Sequence, residues 1–242
     1  MSTGLLVLAA ALWGAAAGVF LPRAAYRFSV PSGEAWRERC PEDHALRGWL
    51  GRAACPDCAA PGPGPRTAPL VIATALVCAL LAAATGTRPE LGVWLLLAPV
   101  GVLLTVVDFR VRRLPDPLTL PFAAAALALL GLTALVPEHA GEWTTALLGS
   151  LALGGGYFVL FLVNPAGMGF GDVKLALGAG AALGWYGWPT VMLGTFAGFL
   201  LGALYGAALV LTRRADRKTA IPFGPFLITG ALLGLLVGAY TA

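Results

Sequence analysis

Charge is the scarcest feature of this chain. Asp, Glu, Lys and Arg make up 12% of its 242 residues, where a soluble domain carries roughly 25%. That depletion argues against an ordinary water-soluble fold. Polar stripes at helical spacing are also missing from the long apolar stretches, which excludes surface helices of a soluble core. No Lys or Arg precedes the first apolar run, Leu5–Leu21, and the first basic residue is Arg23. An ordinary secretory signal would carry its basic residues ahead of the run. The order found here predicts a first helix that stays in place with its amino end outside. The exposed basic and aromatic surface that nucleic acid requires is not visible either, and no repeat of fixed period is present.

Apolar residues are abundant, at 58% of the chain, and gathered in blocks. Eight blocks can be drawn, at about 4–22, 68–86, 91–107, 117–136, 143–163, 173–185, 188–211 and 221–240. Most approach the roughly 17–25 residues that cross a bilayer as helix. The sixth is short and glycine-rich, so it is expected to tilt, break or sit partly within protein. The expected fold is an all-α polytopic membrane protein of about eight transmembrane helices. It divides into a first transmembrane helix (1–22), a small cytoplasmic loop domain (23–67) and a transmembrane domain (68–242). Pro61-Gly-Pro-Gly-Pro65 at the end of the loop reads as a linker, since proline supports neither helix nor central strand.

Charge placement orients the bundle. With the amino terminus outside, loops 23–67, 108–116, 164–172 and 212–220 all fall inside. Of the 16 Lys and Arg residues, only Arg88, beside Glu90, is then left on the outer face. The positive-inside rule therefore favours eight crossings with both termini outside. The basic cluster Arg213, Arg214, Arg217 and Lys218 reads as an anchor on membrane lipids.

Two acids stand at the inner membrane edge. Asp108 ends the third block in Leu104-Thr-Val-Val-Asp-Phe-Arg110, and Asp172 closes Gly167-Met-Gly-Phe-Gly-Asp172 before the sixth. Two carboxylates facing one another across a small wet cavity can share a proton. The ionised one then activates water and the neutral one protonates the carbonyl or leaving group. Gly169 and Gly171 would let backbone approach a substrate strand and take positive φ. Plainer readings stand beside these. Asp108 also reads as an interfacial acid balanced by Arg110 or Arg112, and Asp172 as an N-cap. Asp116-Pro117 has the form of an N-cap with proline at the first helical position. Lys174 is read as snorkelling to headgroups or assisting a substrate group.

Gly169-Phe-Gly-Asp-Val-Lys174 resembles the GxGD motif of type IV prepilin peptidases. Asp108-Phe-Arg-Val-Arg-Arg-Leu-Pro-Asp116 is similar to that family's first aspartate segment, and Gly18–Arg27 to its first-helix exit. The resemblance implies an aspartyl endopeptidase that cuts the basic leader of prepilins or pseudopilins after a glycine, at the cytoplasmic membrane face. Its catalytic pair falls on Asp108 and Asp172, and no cofactor is required for the cleavage. Many members also methylate the new amino terminus with S-adenosylmethionine, using the cytoplasmic domain whose place the loop 23–67 takes. That domain often holds two CxxC pairs. Here Cys55-Pro-Asp-Cys58 keeps one, while the earlier site reads Cys40-Pro-Glu-Asp-His44. Zinc held by Cys40, His44, Cys55 and Cys58 is one expectation. Unliganded thiols in a reduced loop are the other, since a disulfide is disfavoured in that compartment. The rival to the peptidase is a transporter or assembly scaffold, although acids on an ion path usually lie near the bilayer midplane.

Overall fold

Apolar runs without a polar stripe become helices that bury one side on neighbours and leave the other bare. The computed structural model describes residues 2–55, 57–58, 64–165, 167–213 and 221–242. Its helices are α1 (Thr3–Phe28), α2 (Thr67–Thr85), α3 (Glu90–Val111), α4 (Asp116–Thr133), α5 (Trp143–Val163), α6 (Phe170–Trp185), α7 (Trp188–Leu211) and α8 (Gly224–Thr241). The chain is thus an all-helical, polytopic membrane protein. Among the described residues, seven helices are long and apolar enough to cross a bilayer. Bare side chains such as Ile72, Leu132, Met192 and Phe196 give these helices a lipid-compatible exterior.

The exception is α6. Its 16 residues rise about 24 Å, short of the roughly 30 Å hydrocarbon layer. It packs instead against α4, α5, α7 and α8, and that packing buries Asp172 in its first turn. Glycine permits that packing. A β-carbon on Gly149 of α5 would lie 2.6 Å from the Gly180 carbonyl oxygen and 3.0 Å from the Gly184 Cα. Backbone meets backbone there, as small residues allow between membrane helices.

α1 runs on to Phe28 rather than ending near residue 22. Pro22 has no N–H to give the helix ladder, and the loop occupies the disturbed turn. Gly51 N–H donates to the Phe20 carbonyl (2.8 Å), and Arg23 N–H donates to the Gly51 carbonyl (2.9 Å). The arginines beyond Pro22 tie the loop down. Arg23 donates to the Arg47 carbonyl at 2.7 Å. Arg27 donates to the Gly48 carbonyl at 2.7 Å and lies 4.0 Å from the ring centre of Trp49. Charges that look like simple topology markers in the sequence are therefore internal donors. Most of the expected linker Pro61–Pro65, and Arg214, Arg217 and Lys218 of the basic anchor, lie outside the described residues.

A polar knot closes the opposite end of the bundle. Glu90 is wholly buried at the start of α3. Its Oε1 accepts from the Tyr186 hydroxyl and the Ala140 N–H, each at 3.3 Å. Arg88, 3.9 Å from the same oxygen, donates to the carbonyls of Thr85 (2.7 Å) and Ala239. This knot joins the far ends of α3 and α6, the two helices that carry Asp108 and Asp172.

Candidate active site

Asp108 lies in the last turn of α3. The helix stops one turn later because Arg112 turns left-handed (φ 50°), its N–H donating to the Asp108 carbonyl at 2.8 Å. Such a φ is uncommon for a side-chain-bearing residue, and it sends the chain back through Pro115 into α4. Asp108 is 4% exposed, and its Oδ2 accepts the Gly224 N–H at 3.0 Å. Gly224 begins α8, 116 residues further along the chain. A β-carbon on it would lie 2.8 Å from that same oxygen. Sequence reasoning passed over Gly224, since its neighbours Pro222-Phe-Gly-Pro225 carry no titratable side chain.

Asp172 occupies the third position of α6 and is not its N-cap, which is Gly169. Asp172 Oδ2 accepts the Gly169 N–H at 3.1 Å, the reach-back of a capping box. Asp172 is 7% exposed. The expectation of positive φ at the motif glycines does not hold. Gly169 has φ −76°, and Gly171 is already inside the helix. What Gly171 provides is room, since a β-carbon there would lie 2.8 Å from the Leu114 β-carbon. Leu114 also reaches the position that a Gly224 side chain would take. It therefore bridges the two aspartate segments from the α3–α4 turn. The structure thus sets two buried carboxylates from distant stretches of chain on segments that share Leu114, each held by one backbone N–H.

Asp116 and Lys174 also differ from expectation. Asp116 is the first residue of α4 and makes no cap hydrogen bond. Its Oδ1 lies 2.7 Å from Lys174 Nζ, so an ion pair latches α4 to α6 beside the site. Lys174 Nζ also stands 4.9 Å from the ring centre of Phe170. Its side chain is only 16% exposed.

The loop packs at the same end. Arg113 donates to the Pro31 carbonyl at 2.7 Å and stacks 4.2 Å from the Trp36 ring centre. Within the loop an isolated bridge pairs Arg39 with Ala45. The Cys40 N–H donates to the His44 carbonyl at 2.9 Å, around Asp43 at φ 65°. This turn and the Cys55–Cys58 turn bring four donor atoms within 4.8 Å of one another. Cys40 Sγ lies 3.5 Å from both Cys58 Sγ and His44 Nδ1, and His44 Nδ1 lies 3.4 Å from Cys58 Sγ. Bonds of about 2.3 Å to sulfur and 2.0–2.1 Å to nitrogen put the edges of a tetrahedral zinc site near 3.5–3.8 Å. The cluster fits such an ion. Burial opposes ionisation of Cys40, yet hydrogen bonds from the His44 backbone and the Cys58 thiol bring it down to about 7. Burial, with Cys40 and Cys55 nearby, pushes the Cys58 thiol up to about 12.

A cavity of about 460 Å³ opens between α2, α3, α6 and α8. Leu70, Val77, Leu97, Val102, Leu175 and Leu232 give it an apolar wall. At one end it reaches Thr105 and Val106, within a turn of Asp108, and Leu175, within a turn of Asp172.

Residues 95–207, which include both aspartates, match the model of the Type IV leader peptidase family. Curated relatives that bear the name prepilin leader peptidase/N-methyltransferase include three from different bacteria. The one from Aeromonas salmonicida (strain A449) is 39% identical over 152 residues, 60% of this chain and 48% of its own length. That from Stutzerimonas stutzeri is 31% identical over 237 residues, 93% of this chain and 75% of its own. That from Escherichia coli (strain K12) is 34% identical over 179 residues, 70% and 73% of the two chains. Against the Aeromonas salmonicida relative the chain spans about half the length, 48%. No solved structure matches.

Proposed function

Because the chain belongs to the type IV leader peptidase family, we propose that it is an intramembrane aspartyl endopeptidase. It removes the basic leader of prepilins or pseudopilins at the cytoplasmic face of the bacterial inner membrane. The observation that supports this reading is the burial of Asp108 and Asp172 on segments that both pack on Leu114, each carboxylate tied to a backbone N–H. Two such carboxylates favour a state with one proton between them. The ionised member takes a proton from water, whose oxygen attacks the peptide carbonyl carbon. The neutral member gives its proton to the departing amine. The pair titrates as a unit.

The substrate has to be an apolar helix with a polar, basic end. The cavity beside the aspartates supports docking of that helix, since its wall is apolar and it ends within a turn of both acids. The loop, Arg110, Arg112 and Arg113 share the acids' end, which supports a cytoplasmic placement with both chain termini outside.

Cys40, His44, Cys55 and Cys58 would hold zinc. A closed four-ligand site of this type supplies folding energy rather than chemistry, fastening the two turns of a loop with little core of its own. S-adenosylmethionine does not fit the membrane cavity, whose wall includes no acidic side chain to meet a sulfonium charge or ribose hydroxyls.

The test uses purified protein in detergent and a synthetic peptide carrying a prepilin leader and the first turns of its apolar helix. Mass spectrometry should find one cut, after a glycine, yielding the free amine of the mature end. An intact peptide in the presence of folded protein would contradict the assignment.

A further inference from the structure

The loop 23–67 carries an apolar apex that the described residues leave bare. Leu50 is 65% exposed and Trp49 40%, between the exposed Arg47 and Arg52. The apex rises between Leu46 and Ala53, and Ala53 and Leu46 are buried in the loop's small apolar cluster with Cys40 and Cys55. Its backbone is fixed. The Arg23 side chain donates to the carbonyls of Arg47 (2.7 Å) and Arg52 (3.1 Å), and Arg27 donates to that of Gly48 (2.7 Å). Gly51 N–H donates to the Phe20 carbonyl of α1 at 2.8 Å. Gly48 and Gly51 have φ 73° and 116°, conformations that side chains disfavour. Trp49 stacks on the Arg27 guanidinium, 4.0 Å from the ring centre, and the Phe28 ring lies 4.8 Å away. An exposed apolar pair held this firmly marks a contact surface.

Position identifies the partner. Leu5, Leu12, Ala16 and Phe20 form an exposed stripe at helical spacing along α1. Phe20 stands seventeen residues beyond Thr3, about 26 Å along the helix. A helix entering the bilayer at Thr3 therefore nears the far edge of the roughly 30 Å hydrocarbon layer at Phe20. The apex is bonded to α1 at that level. Tryptophan is favoured there, because its ring suits the boundary between acyl chains and headgroups. The flanking arginines suit the phosphates of anionic lipids, and they would repel a basic leader.

We propose that residues 47–52 form a membrane anchor, in which Trp49 and Leu50 enter the lipid interface while Arg47 and Arg52 hold anionic headgroups. The anchor fixes the four-donor cluster of Cys40, His44, Cys55 and Cys58 relative to the bilayer. It stands independently of the peptidase reading, since it needs only that α1 spans the membrane.

The test places the photoreactive residue benzoylphenylalanine at position 50 of the full chain, in nanodiscs of phosphatidylglycerol and phosphatidylcholine. Position 12 on α1 serves as the bilayer standard, and position 34, an exposed glutamate of the loop, as the aqueous one. Leu50 is mostly bare, so its replacement leaves the packing intact. After irradiation, mass spectrometry should find lipid adducts at position 50 in yield near that at position 12 and well above that at position 34. An arginine beside an anionic surface favours such lipid by roughly fivefold. Phosphatidylglycerol should therefore exceed its share among the adducts at position 50 by about that factor or more. Arg47→Gln combined with Arg52→Gln should abolish the excess while the adducts persist. Lipid adducts at position 50 no more abundant than at position 34, or adducts formed only with protein, would overturn the anchor. An excess unchanged in the arginine variant would overturn the headgroup contact.

Discussion

Asp172→Asn and Asp108→Asn should each slow leader cleavage by about 10³-fold or more, since general acid–base catalysis typically contributes about 10²–10⁴-fold. Asparagine is the informative replacement because it keeps the volume and the accepting oxygen. The Gly169 N–H can still donate to residue 172, and the Gly224 N–H to residue 108. Folding and abundance should therefore be preserved while the capacity to carry a proton is lost. The double variant should be no slower than the slower single one, because groups that act as a unit are not additive. Asp116→Asn gives the contrast. It breaks the pair with Lys174, but Asp116 is 60% exposed, and exposed pairs contribute only about 0–1 kcal/mol. It should retain activity within about tenfold. Cleavage above about a tenth of the normal rate in Asp108→Asn or Asp172→Asn would remove that residue from the chemistry.

Cys58→Ser should have the next largest consequence, in the loop rather than in the bundle. Zinc held by four protein ligands contributes about 10–16 kcal/mol of apparent binding energy in small zinc-dependent folds. The loop around Cys40, Leu46 and Cys55 has only a small apolar cluster, so its order should depend on that term. Protein purified without chelator should carry about one zinc ion per chain, the occupancy of a closed site. Cys58→Ser should carry almost none, and its loop should be cut by added protease at concentrations that spare the unmodified chain. Equal metal content in the two proteins would contradict the assignment. Protease resistance of the metal-free variant would mean that the anchors at Arg23, Arg27 and Arg113 suffice to order the loop.

What the sequence made legible follows from the range of the forces involved. Helix positions were readable because membrane helices are set by local composition, and the block at 143–163 coincides with α5. The sixth block was expected to sit partly within protein because it is short and glycine-rich, and its Gly180 and Gly184 do meet Gly149 of α5. The extension of α1 past Pro22 was not legible, because the groups that complete that turn come from Gly51, remote in the chain. Asp116 looked like a cap because its local pattern suits one, whereas its partner is Lys174 on another helix. Gly224 was missed for a related reason. A backbone N–H in an apolar run becomes conspicuous only when folding sets it beside a carboxylate. Glu90 gave some signal, as an acid beside the single outer-face arginine, yet its complete burial depends on Tyr186 and Ala140 from other connections.

Everything proposed for the reaction requires Asp108 and Asp172 to share one small space in the membrane. The double variant Asp108→Cys and Asp172→Cys, oxidised in native membranes and mapped by mass spectrometry of linked peptides, measures that directly. A link between positions 108 and 172, distinct from any involving Cys40, Cys55, Cys58 or Cys78, should form rapidly and in high yield. If 108 and 172 stay unlinked even with a short bifunctional reagent while the helices remain folded, the two acids do not meet, and the proteolytic site is not the one described.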